Sequence, residues 1–131
     1  TKSVADRMNL RLGDKVIYMR RLRLADGVPM MLERTYVPLS HFLGFTKKDL
    51  EGKSLYAIIE NDYHETIRVA EEEFFATVAR KDDAEVLGIS EGAPVLQLSR
   101  VTYNDKNDVI EFTHSVARAD QFKYKISHVR G

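Results

Sequence analysis

Two arginines stand two residues apart, Arg21 and Arg23, and a glutamate follows at Glu33. On a β-strand, positions i and i+2 share a face, so the two guanidiniums are presented side by side. Such forks hold a phosphate or carboxylate through paired hydrogen bonds. A nearby carboxylate accepts hydrogen bonds from ligand hydroxyls. The plain alternative is a solvated sheet face on which Glu33 merely pairs with an arginine. Ser54-Leu-Tyr56 is a second candidate. A hydroxyl at a helix start, beside unpaired amides, suits an anion, although the same serine also serves as an ordinary cap. His41, His64, His114 and His128 are scattered without the spacing of metal ligands, so no metal is expected. No P-loop, dinucleotide fingerprint or nucleophile elbow occurs, and no cofactor is expected.

The elements that must position these residues read as follows. Val4–Arg11 is a short helix that ends near Gly13, and Asp14–Ala25 is a strand rich in Val, Ile, Tyr and Leu. Asp26-Gly27 is a hairpin turn, and Pro29–Val37 is the return strand, stopped by Pro38. From Leu39 to about Tyr63 the pattern is helical, with Ser40, Thr46 and Ser54 able to cap; Thr46 precedes Asp49 with capping-box spacing. Glu65–Ala79 is ambiguous and read as a strand to about Phe75. The triplet Glu71-Glu72-Glu73 within it reads as a solvated charge run. Lys81–Leu87 is a helix closed by Gly88, Pro94–Asn104 and Val109–Arg118 are paired strands, and Gln121–Val129 alternates as a final strand.

The direction of Glu33 depends on the first hairpin turn. A two-residue loop pairs Ala25 with Val28 and sets Glu33 opposite Arg20. A three-residue loop pairs Leu24 with Val28 and sets Glu33 on the face of Arg21 and Arg23. One residue of register decides between them. The three-residue loop is the preferred reading, since it gathers Arg21, Arg23 and Glu33 among Ile17, Met19 and Met31.

The chain also repeats itself. Aligning Ala5 with Ala84 brings Gly13 onto Gly92, Val16 onto Val95, Arg21 onto Arg100 and Asp26 onto Asp105. One deletion in the second turn then sets Glu33 on Glu111. Each unit reads helix, glycine turn, strand, hairpin, strand with a glutamate. Chance likeness between two hairpins is the alternative; duplication implies a sheet of pseudo-twofold character, with a cleft where the units meet.

Composition bounds the function. The 131 residues carry 20 Lys+Arg and 20 Asp+Glu, with 44% hydrophobic residues and no cysteine. The length fits one domain, residues 1–131, with a proper core. A balance of zero argues against holding nucleic acid by bulk charge. The balance is uneven, however: residues 1–25 have seven cations against two anions, a net +5 that the remainder cancels. No apolar run reaches the roughly 18 residues of a membrane span, and no signal peptide opens the chain, so a soluble cytoplasmic protein without membrane partners is expected. Without cysteine there is neither a disulfide framework nor a thiolate zinc site.

The string Arg21-Leu-Arg-Leu-Ala-Asp-Gly-Val-Pro-Met-Met-Leu-Glu33, then Tyr36-Val-Pro38, resembles the effector-binding (UTRA) domain of the HutC branch of GntR-type bacterial transcription regulators. Asp49-Leu50, Ser54-Leu-Tyr56, Leu87-Gly88, Gly92-Ala-Pro94, Arg100, Glu111 and Arg118-Ala-Asp120 follow in the family's order. The motifs together span nearly the whole chain. The resemblance implies an α+β, chorismate lyase-like fold. That fold has an antiparallel sheet of about six strands, helices at one face and the edges, and duplicated hairpin units. It implies a non-enzymatic sensor that dimerises and binds a small anionic effector, above all a sugar phosphate. The winged helix-turn-helix that meets DNA in such regulators is not expected within these residues, nor is a preceding sensor segment. By resemblance Arg21, Arg23, Ser54 and Tyr56 hold the phosphate, and Glu33 and Glu111 meet hydroxyls or an amine. Ala117 stands where relatives commonly have Tyr or His, which leaves room for a different or larger ligand. Two other readings compete. One is a chorismate lyase-like enzyme acting on a small carboxylate; the other is a pure dimerisation module.

Overall fold

The computed structural model describes residues 2–46 and 54–120. Helix α1 (Lys2–Met8) leads into the hairpin β1 (Val16–Ala25) and β2 (Val28–Pro38). A 3-10 turn, Leu39–His41, follows, and, further on, α2 (Leu55–Ala57), which widens into a π-helical turn over Ile58–Asp62. β3 (Ile67–Val78), α3 (Lys81–Leu87), β4 (Pro94–Asn104) and β5 (Val109–Arg118) complete the described chain. The five strands form one antiparallel sheet in the order β1-β2-β5-β4-β3. The final strand expected over Gln121–Val129 and the motif Asp49-Leu50 lie outside the described residues.

The repeat read in the sequence is laid out in space as two hairpins whose inner strands, β2 and β5, pair at the centre of the sheet. Thr35 stands opposite Thr113, and these two occupy matching places, each two residues after its unit's glutamate. Their hydroxyls share a hydrogen bond of 2.9 Å, so the approximate twofold axis passes between them. The helices obey the same symmetry by exchange. α1 of the first unit packs on β5, and α3 of the second packs on β2.

Alternation along the strands gives the sheet two unlike faces. On one face, Met8 of α1 packs with Val101, Val109 and Phe112, while Ala84 and Leu87 of α3 pack with Leu32, Val95 and Val116. Arg34 of β2 reaches Asp83 of α3 at 2.8 Å on this side. On the other face, Leu55, Ile58 and Ile59 cover Met19 and Val37, with Phe42 and Phe45 closing the cluster. Helices therefore lie on both faces, rather than on one face and the edges. Among the described residues, α2 covers only one end of its face, and none of the described helices packs over the end bearing Arg21, Arg23 and Glu33.

Three expectations change in detail. The first hairpin has a two-residue turn, Asp26 and Gly27 both at positive φ (50° and 77°), rather than the preferred three-residue loop. A bulge at Met30, between the pairs Leu24–Pro29 and Arg23–Met31, then moves the register by one residue and sets Glu33 opposite Arg21. The face is the one preferred from sequence, reached by another device. α1 stops at Met8, short of Arg11, because Asn9 turns left-handed (φ 55°) and ends the helix. β3 runs on to Val78 rather than stopping near Phe75.

Candidate functional site

Arg21 and Arg23 point to the same side of β1 because they are two residues apart, and the Met30 bulge brings Glu33 of β2 to that side. Glu33 then bridges them. Its Oε2 accepts from Arg21 Nη2 at 3.1 Å, and its Oε1 accepts from Arg23 Nη1 at 3.2 Å. The Arg21 and Arg23 side chains are 24% and 58% exposed, so the pair borders solvent.

The second unit builds a tighter counterpart. Glu111 accepts from Arg100 Nε and Nη2, the closest contact being 2.7 Å, and from the hydroxyls of Thr102 (2.5 Å) and Thr113. Its side chain is fully buried. The Tyr56 hydroxyl bonds to Thr102 Oγ1 at 2.8 Å, and the Arg100 guanidinium lies 5.0 Å from the centre of the Tyr56 ring. Burial alone would ease the proton off Arg100, but the hydrogen bonds and charge of Glu111 outweigh it and hold the guanidinium firmly charged. Burial, above all, raises the Tyr56 phenol. The fork and the two hydroxyls thus use the accepting capacity of Glu111 from within the protein.

Between the two pairs lies a cavity of about 210 Å³, lined by Met31, Glu33, Glu72, Leu98, Arg100, Thr113 and Ser115. Pockets for larger ligands run to roughly 300–1,000 Å³, so this one suits a small molecule. Larger concavities exist. One of about 290 Å³ on the α3 side is lined by Arg34, Arg80, Asp82, Asp83, Gln97 and His114, and one of about 390 Å³ lies beside α1. The smaller cavity carries two glutamates, Glu33 and Glu72, and the half-buried Arg100 in its walls, and Glu33 links it to Arg21 and Arg23.

The site residues expected from sequence divide accordingly. Arg21, Arg23 and Glu33 come together as one cluster. Tyr56 joins the Glu111 cluster instead. Ser54 is the cap of α2, its Oγ accepting from the Ala57 amide at 3.1 Å, and among the described residues no hydrogen bond links it to Arg21 or Arg23. Glu111, expected at the hydroxyl or amine end, is held by Arg100 and stands behind the cavity wall. Ala117 is fully buried between Met31 and Leu96 on the neighbouring strands and does not line the cavity. Glu72, read as part of a solvated run, is exposed as expected and also lines the cavity, opposite Arg100. Thr102, Thr113 and Ser115 were missed as polar members. The alternation Glu111, Thr113, Ser115 on β5 was the available signal, since i, i+2 and i+4 share a face.

Comparison with known proteins gives a consistent result. The UTRA domain family matches residues 1–123. The HTH-type transcriptional repressor NagR of Bacillus subtilis is 33% identical over 104 residues, covering 79% of this chain and 42% of that protein. The mannosyl-D-glycerate transport/metabolism system repressor MngR of Escherichia coli is 27% identical over 113 residues, covering 86% of this chain and 47% of the repressor. The chain thus spans about half the length of the curated relatives it matches. Among solved structures, the ligand-binding domain of a GntR-family transcriptional regulator from Bordetella bronchiseptica superposes with a TM-score of 0.87 at 26% identity. That match covers 98% of this chain and 82% of the other.

Proposed function

Because this chain belongs to the UTRA domain family, the effector-binding domains of GntR-type transcription regulators, we propose that its open cluster of Arg21, Arg23 and Glu33 binds a small anionic effector, above all a sugar phosphate. The observation that carries this reading is the pair of adjacent guanidiniums, bordering solvent and bridged by Glu33, which itself lines a small cavity. The phosphate lies against Arg21 and Arg23, and the sugar ring enters between Glu33, Glu72, Thr113 and Ser115. The names of the relatives support a sugar-derived ligand, among them the repressors for mannosyl-D-glycerate and fructoselysine utilisation. Their function is regulation rather than catalysis, and the chorismate lyase reading is set aside on that ground.

Effector binding works on DNA affinity only if the ligand meets one conformation better than another. Charge-assisted hydrogen bonds of roughly 1.5–3 kcal/mol each supply a shift of that order. In the whole regulator, of the HutC branch and acting in the cytoplasm, DNA is contacted by a separate winged helix-turn-helix. The sensor domain forms a homodimer, for which the outer strands β1 and β3 offer open edges among the described residues. Sedimentation of the domain checks the dimer.

Calorimetry against a panel of sugar phosphates and dicarboxylates tests the ligand class. A panel member binds the wild type, and Arg21→Ala or Arg23→Ala weakens it by about tenfold or more, the equivalent of one charge-assisted contact. Equal binding to wild type and both variants removes the proposed anion site.

A further inference from the structure

We propose that Glu33 is the charge filter of this site: its carboxylate occupies the place between Arg21 and Arg23 that the effector's anionic group must take, so that a dianion displaces it and a monoanion does not. The inference rests on the effector-site reading given above and adds the rule by which that site selects its ligand.

Glu33 already sits as an anionic ligand would, with one oxygen on each guanidinium, at 3.1 and 3.2 Å. An incoming anion competes with it for the same donors. The duplicated unit shows what a permanent pair looks like in this fold. Glu111 takes two nitrogens of Arg100 and two threonine hydroxyls, and its side chain has no exposure. Glu33 has one nitrogen from each arginine, both contacts longer than the roughly 2.7–2.9 Å of tight charge-assisted bonds. Its side chain is 12% exposed and borders the cavity. One copy of the pair is sealed; the other is exchangeable.

Charge sets the outcome of the exchange. Two guanidiniums and one carboxylate leave the cluster with a net positive charge. A monoanionic ligand replaces one carboxylate by another and turns Glu33 loose in a cavity that Glu72 also lines. That exchange returns to each guanidinium only the contact it already had and gives up an intramolecular one. A dianion neutralises both guanidiniums. If it also carries hydroxyls, these give the released Glu33 new donors, and Ser115, cross-strand from Glu33, is a further one in the same cavity. The site therefore asks for a doubly charged group with hydroxyls beside it.

Calorimetry with sulfate, acetate and glucose 6-phosphate on the wild type, Glu33→Gln and Arg21→Ala tests this. Sulfate binds the wild type and acetate does not. In Glu33→Gln sulfate binds about tenfold tighter, the effect of removing one partly exposed competing charge. Acetate becomes detectable, and glucose 6-phosphate gains less than sulfate because a hydroxyl acceptor is weakened. Circular dichroism confirms folding, and Glu33→Ala shows the same sign for sulfate should the glutamine variant not fold. Sulfate binding that is unchanged or weaker in both Glu33 variants overturns the filter while leaving the anion site standing. Failure of every probe to bind the wild type and Glu33→Gln, or equal binding to Arg21→Ala, overturns the site reading itself.

Discussion

At the scale of single residues, the two glutamates that match in the repeat are in unlike situations. Glu111 is fully buried and matched by a fork and two hydroxyls, whereas Glu33 is held at the rim by one contact from each of two partly exposed arginines. Their removal has unequal consequences. Glu111→Ala strands the half-buried Arg100 guanidinium and two threonine hydroxyls, and lowers the free energy of unfolding by about 3 kcal/mol. Glu33→Ala costs less, about 1 kcal/mol, because each of its two contacts is a single long bond and Arg23 stays largely exposed. Urea denaturation of both variants checks the contrast, and equal losses would contradict it. The arginine pair and Glu33 were legible from residue type and spacing. The role of Glu111 was not, because the sequence placed it beside Arg100 in the repeat without showing that the arginine would close on it. Glu72 was hidden in an acidic triplet; only the strand's alternation separates it from Glu71 and Glu73.

At the scale of elements, local chemistry decided most boundaries. α3, β4 and β5 begin and end where the sequence sets them, because Gly88 at φ 69° closes the helix and the polar turn Asp105–Asp108 joins two clean β runs. Gly88→Ala places a side chain in that left-handed backbone. Nothing lies within 4 Å of an added Cβ, so the cost is conformational, about 1 kcal/mol, and appears as a lower midpoint in thermal unfolding. The register of the first hairpin was less legible. Asp26-Gly27 announces the turn, and Pro29, which has no amide to give the ladder, is the one local hint of the bulge at Met30 that sets Glu33 opposite Arg21 rather than Arg20. A bulge is chosen by what the two strands must present, and that information is held in the partner strands β1 and β5.

At the scale of the whole molecule, the duplicated layout explains why the cavity is where it is: two hairpins meet about Thr35 and Thr113, and the glutamates of both flank the seam. The molecule also has a pH dependence that these groups predict. Burial, and then the charge of Arg34, hold the His114 imidazole below its ordinary value of 6.5. The unfolded chain therefore takes up a proton below about pH 6.5 that the folded chain resists, and stability falls as pH drops through that range. Burial raises Glu65, but hydrogen bonds from His41 and Asn104 outweigh it and leave the carboxyl below its ordinary 4.5. Its contribution is present above pH 4.5 and is lost on further acidification. Thermal midpoints recorded from pH 8 down to about pH 3 should decline in these two stages, and His114→Gln should flatten the first; a variant that declines as the wild type does would exclude His114 as the cause. A crystal structure of the domain grown with a bound sugar phosphate tests most directly whether the arginine pair is the anion site. The phosphate is expected within hydrogen-bond distance of both Arg21 and Arg23, with the Glu33 carboxylate turned away from them toward the sugar. A phosphate bound elsewhere, with Glu33 still bridging the two guanidiniums, would contradict it.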